Sequence, residues 1–170
     1  MILLFLLSLI MYTDAILREL IAMPKAIIDA PKLVKESRAT FIKKGFTMSS
    51  IDDKYSFNGF ITQNRVFTEN FSVGLVYNPK NEKGSIVLLR VNGAHGGTDI
   101  DSHHAHCHIH TATAERINSG LKPEGHIEIT TAYAMLEDAI QFYLDTIGLS
   151  IADRNKHFPR PERDLFTGIG

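Results

Sequence analysis

The chain has 170 residues, 44% of them hydrophobic and 22% charged, a balance that fits one globular domain and excludes a disordered or fibrous chain. A formal net charge of -1 provides no global field toward nucleic acid, and a single cysteine excludes an internal disulfide. Histidine stands out: of eight, five (His103, His104, His106, His108, His110) fall between positions 103 and 110.

Residues 1–11 form an uncharged apolar leader, and the first charged residue is Asp14. A helix over this run would span about 20 Å, short of the ~30 Å hydrocarbon core of a bilayer. Three readings stay open: an upstream extension of a chain that starts at Met11, an apolar helix that docks on the core or a partner, and a membrane or secretory segment. The protein is read as cytoplasmic, with no membrane contact expected.

Thr13 or Asp14 can cap a helix running to Met23, with Ile16, Leu17, Leu20 and Ile21 on one face, and Pro24 ends it. Residues 25–44 are basic, and Leu33, Val34, Phe41 and Ile42 predict a second helix beginning near Pro31. From Lys54 the pattern turns to short β-type runs, with strands expected at 54–63, 70–77 and 85–91 and a turn at 78–84. The histidine run is read as a fourth strand and 126–130 as a fifth. Tyr133, Leu136, Ile140, Tyr143, Leu144 and Ile147 keep helical spacing, predicting a helix over 131–147 capped by Thr130 or Thr131 and closed by Gly148. Residues 151–170 lack apolar periodicity and read as a polar tail behind a single domain of residues 1–150.

Alternation along a strand puts His104, His106, His108 and His110 on one face. His103, Ala105, Cys107 and Ile109 take the other, where Cys107 reads as a small core hydrophobe. Four same-face histidines spread over roughly 20 Å cannot share one ion, but an i, i+2 pair can chelate if a further residue completes the set. His95, Asp99, Asp101, His126 and Glu128 are the candidates, in a stretch of the chain rich in acidic residues. Metal-free acid–base chemistry and a structural or partner-binding face are the other readings of the same strand. The sequence contains no phosphate-binding P-loop, GxGxxG, GxSxG, HExxH or paired CxxC.

The block His108-Ile109-His110-Thr111-Ala112-Thr113, followed by Glu115-Arg116, Gly120, Glu128, Tyr133, Leu136-Glu137, Ala139-Ile140 and Gly148, resembles a bacterial and prophage-borne family of small proteins with no assigned function. Ala114 stands as an insertion against that pattern. A further likeness through Leu88-Leu89-Arg90, Asn92 and His95-Gly96 is similar to TumE-type toxins of toxin–antitoxin pairs. The resemblance implies mobile-element or toxin–antitoxin biology and transfers no catalytic residue.

The expected fold is α+β: an antiparallel sheet of about five strands, with the N-terminal and C-terminal helices packed on one face over Leu136, Ile140 and Ile147. The leading functional expectation is a toxin–antitoxin or phage-defence protein with a metal- or histidine-dependent phosphodiesterase or ribonuclease site. His106, His108, His110 and Glu128 would be catalytic. His106, His108, Asp101 and His126 would hold a divalent metal (Zn or Mn), and Lys43, Lys44 and Arg90 would contact RNA phosphates. A cognate antitoxin or complex subunit, or a second copy of the chain, is the expected protein partner. The rival is a non-enzymatic binding module that uses the histidine strand and the apolar N-terminus as contact surfaces.

Overall fold

The computed structural model describes residues 11–34, 40–96 and 99–160. Seven antiparallel strands follow one another across a single sheet in chain order: β1 (Lys25–Leu33), β2 (Phe41–Ser50), β3 (Ser56–Asn64), β4 (Phe71–Asn78), β5 (Ile86–Asn92), β6 (His108–Ala112) and β7 (Glu124–Ile129). Around it stand α1 (Asp14–Ala22), α2 (Ala114–Asn118), α3 (Leu136–Thr146) and α4 (Ile151–His157). The expected α+β class with an antiparallel sheet is what forms, with seven strands in place of about five. No helix among the described residues is long and apolar enough to cross a membrane. Residues 1–10 of the apolar leader lie outside the described residues.

The extra strands are β1 and β2, where a second helix was expected. Pro31 belongs to β1, an edge strand, where a missing amide hydrogen leaves no interior ladder bond unmade. Two register shifts bend the same strand, between Ile27 and Asp29 and between Asp29 and Lys32.

Directly paired residues share a face, so the registers sort the sheet. Phe46, Met48, Phe57, Ile61, Val73, Leu75, Leu89 and Val91 are buried on the inner face, and Ile109 packs against them. Leu17, Leu20 and Ile21 of α1 and Ala139, Tyr143 and Leu144 of α3 join the same core. Thr13 caps α1 as expected, its side chain accepting from the Ile16 amide, but Ile16 itself stays exposed. Of the three residues expected beneath the C-terminal helix, Ile147 is fully buried, and Leu136 and Ile140 are half-buried against the core.

The C-terminal helix starts at Leu136, five residues later than the periodicity suggests, with Met135 at its cap and no side-chain cap bond. Tyr133 explains the delay. Its ring enters the core and its hydroxyl donates to the carbonyls of Asn92 (3.2 Å) and His108 (3.1 Å), which draws residues 131–135 off the helical path. At the other end Gly148 adopts φ +67, and a Cβ there would meet the Ala22 carbonyl oxygen at 2.5 Å. The expected tail is helical from Ile151 to His157. Ser150 accepts from the Asp153 amide, and Arg154 donates to the carbonyls of Leu149 and Leu144, so polar contacts hold a helix that lacks an apolar stripe.

Candidate metal centre

The histidine run is only partly a strand. Ser102 accepts from the His104 amide and opens a 3-10 turn over His103–Ala105, so β6 begins only at His108. The expected row of four same-face histidines is therefore corrected to two, His108 and His110, on the outer face opposite Ile109. The outer face also carries two cross-strand rows. Ser72, Asn92 and His108 are successive partners in one, and Gly74, Arg90 and His110 in the other.

The β5–β6 connection folds back over this face. The amides of His95 and Gly96 both donate to the His104 carbonyl. A Cβ at Gly96 would meet the His104 Cβ at 2.4 Å, so glycine permits the close approach. Five imidazoles gather as a result. The rings of His95, His103 and His104 lie 4.9, 5.0 and 5.7 Å from that of His108, and His110 lies 5.0 Å away on the strand. Two triads, His95/His104/His108 and His103/His108/His110, have ligand atoms within 4.8 Å of one another.

Hydrogen bonds set the tautomers. His95 Nδ1–H donates to the Gly93 carbonyl at 2.9 Å and His108 Nδ1–H to the His106 carbonyl at 2.8 Å, which turns both Nε2 lone pairs toward the cluster. Backbone carbonyls in this role are the usual outer support of metal-ligating histidines. His108 Nε2 is buried and has no partner. His95 Nε2 accepts from His104 Nδ1–H at 3.0 Å. Two nitrogens on one tetrahedral zinc lie about 3.3 Å apart, so the pair is already near chelating distance.

Burial pushes His108 down to about 4, against the pull of the His106 carbonyl and with help from His95, His103 and His104. Burial, then Arg90 and His108, lower His110 to about 4. His104 is also lowered, by burial first and then by His103 and His95. At neutral pH these three rings are neutral, the form that binds metal.

Beside the cluster opens a cavity of about 440 Å³, lined by Ser72, Arg90, Asn92, Lys122 and Glu124 along with four of the histidines. Buried Glu124 pairs with both Arg90 and Lys122.

Of the residues singled out from sequence, His108, His110 and Arg90 meet here, with His95 from the wider candidate set. His106 does not join either triad, since its Nε2–H donates to the Ile100 carbonyl at 3.0 Å. Asp101 is exposed on the connecting loop, its amide bonded to Asp99. His126 and Glu128 are exposed on β7 opposite Thr111 and Ile109, on the other face from His108. Lys43 continues the Ser72–Asn92–His108 row outward through Thr62, four strands from β6 and so roughly 19 Å away, whereas Lys44 lies on the opposite face. Cys107 is half-buried against the core, and burial raises its thiol.

Sequence reasoning placed His103 on the wrong face and gave no role to His104 beyond the strand row, because both assignments assumed unbroken strand alternation. Ser72, Asn92, Lys122 and Glu124 were missed. Asn92 stood in the toxin likeness and in the Asn92-Gly93 turn pair, Lys122 and Glu124 entered only a local count of charges, and Ser72 carried no signal. Comparison of the chain with family models, curated proteins and solved structures finds no match.

Proposed function

We propose that His95, His104 and His108 hold one divalent transition-metal ion and that the adjoining cavity uses it to hydrolyse a phosphodiester, RNA being the substrate that the toxin–antitoxin likeness suggests. The observation that carries this reading is the orphaned, fully buried His108 Nε2, aimed among imidazoles whose tautomers are already set for ligation. A buried polar atom without a partner is uncommon and calls for a ligand. His108 has one nitrogen to give, so the two triads compete for a single ion. The fixed His95 tautomer and the His95–His104 spacing favour the first. Entry of the ion sends the His104 proton to that ring's other nitrogen. An all-imidazole donor set suits zinc better than manganese. Three protein ligands leave a position open, and the ion supplies Lewis acidity for hydrolysis there. His103 and His110 stay unligated and line the cavity, where their ring nitrogens face a bound substrate.

Elemental analysis of the purified chain is the test. One zinc per chain, reduced at least tenfold in His108→Gln together with loss of RNA cleavage, is the expected result. Metal content unaffected by that substitution would defeat the reading.

A further inference from the structure

Among the described residues, three buried side-chain polar atoms have no partner: Ser72 Oγ, Asn92 Nδ2 and His108 Nε2. They are not scattered. Ser72, Asn92 and His108 are directly paired across β4, β5 and β6 on the outer face, so neighbouring Cβ atoms stand about 5 Å apart. Ser72 and Asn92 line the cavity beside the histidines. Asn92 is 2% exposed, and its backbone carbonyl is held by the Tyr133 hydroxyl, so the side chain projects from a fixed point. Leaving a buried amide donor unpaired is destabilising, a penalty the fold accepts at the position next to the proposed ligand.

A group that satisfied all three atoms would present an electron pair to an ion on His108 and accept hydrogen bonds from an amide and a hydroxyl. An anionic oxygen does this. The cavity's formal charges add to it: Arg90 and Lys122 face one carboxylate, Glu124, leaving one positive charge to which a divalent ion on neutral imidazoles adds two, so the site favours an anion. A phosphodiester is a tetrahedral monoanion with two non-bridging oxygens, one for the ion and one for the donors. We infer that Asn92 Nδ2 and Ser72 Oγ form an oxyanion cradle that binds a phosphoryl oxygen of a phosphodiester beside the ion, an assignment that rests on the metal reading above. Such donors act best when aimed in advance at the site of charge. The cradle binds the substrate and makes or breaks no bond.

The test titrates the full chain, zinc-loaded and EDTA-treated, with the thymidine dinucleotide dTpT, inorganic phosphate, acetate and neutral trimethyl phosphate in a calorimeter. Wild type, Asn92→Leu and Ser72→Ala are compared, with zinc content measured on each. The expected result is dTpT binding weakened at least tenfold by Asn92→Leu and several-fold by Ser72→Ala at unchanged zinc content, with no binding of trimethyl phosphate. The melting temperature of Asn92→Leu should not fall, because an orphan donor is removed. If that variant fails to fold, Asn92→Asp, which replaces the donor with an acceptor of the same shape, is expected to abolish dTpT binding. Wild-type affinity in either Asn92 variant overturns the cradle. So does acetate or inorganic phosphate binding as tightly as dTpT, which would make the occupant a carboxylate or free phosphate. Zinc bound without any dTpT affinity sinks the cradle and leaves the metal centre standing. Asn92-dependent dTpT binding in a chain that takes up no zinc does the reverse.

Discussion

His108 can lend an ion only one nitrogen, since its Nδ1–H is committed to the His106 carbonyl. The same burial that isolates the other nitrogen makes protonation costly, and this gives the metal-free chain a pH signature. Above about pH 6.5 the ring is neutral in the folded and unfolded chains alike. Between 6.5 and about 4 the unfolded chain takes up protons that the folded His108 and His110 refuse, so stability falls with acidification across that window. For fully buried His108 the loss is on the order of 3 kcal/mol by pH 4. Urea midpoints measured in EDTA should decline from pH 7 to pH 4, and His108→Gln should flatten the slope. A flat wild-type profile would mean that His108 and His110 take up protons as readily folded as unfolded.

Lys25 shows how far an element's anchoring can lie from its sequence signal. Read along the chain it belongs to a basic, solvated-looking run. In the fold it is fully buried, 4.6 Å from the Phe57 ring centroid. Its Nζ donates to the carbonyls of Ile21 (2.8 Å), Met23 (2.9 Å) and Ile147 (3.0 Å), which ties the ends of α1 and α3 together. Lys25→Met keeps the bulk but strands these carbonyls, and should cost about 3 kcal/mol. A thermal melt should show a clear drop against a Lys54→Met control at an exposed site. Equal melting of the two would mean that the helix ends find other donors. The Thr13 cap of α1 was legible because a cap is local, three residues from its donor, the Ile16 amide. The Lys25 bond to Ile147 joins residues 122 positions apart and could not be read that way. The histidine turn failed for a local reason, since Ser102 offers the backbone an alternative to strand pairing that residue alternation does not register.

Across the whole molecule, the sequence reading reached the α+β class, the three strands β3–β5, which are apolar runs bounded by turn residues, and most of β7. It lost β1 and β2 because Leu33, Val34, Phe41 and Ile42 mimic helical spacing, although Leu33 ends β1 and Phe41 and Ile42 begin β2. The site was legible as a cluster but not as a geometry, because the proposed ligands come from three different kinds of structure: a loop (His95), a 3-10 turn (His104) and a strand (His108). That mixed origin has a consequence for the bound state. An ion that binds the folded chain and not the unfolded one stabilises it by about 2.7 kcal/mol at a hundredfold excess over its dissociation constant. Here the gain should be concentrated where the ion adds a tie that the backbone lacks. In the metal-free chain the connection between β5 and β6 reaches the 3-10 turn through two amides on one carbonyl, those of His95 and Gly96 on His104. Zinc on His95, His104 and His108 would fasten the same connection directly to the sheet. Hydrogen exchange followed with and without zinc should therefore slow most in segment 93–107, with strands β2–β4 nearly unchanged, and His104→Ala should erase the difference. Uniform slowing over the sheet would place the ion elsewhere, and slowing that survives His104→Ala would assign it to His103, His108 and His110 instead.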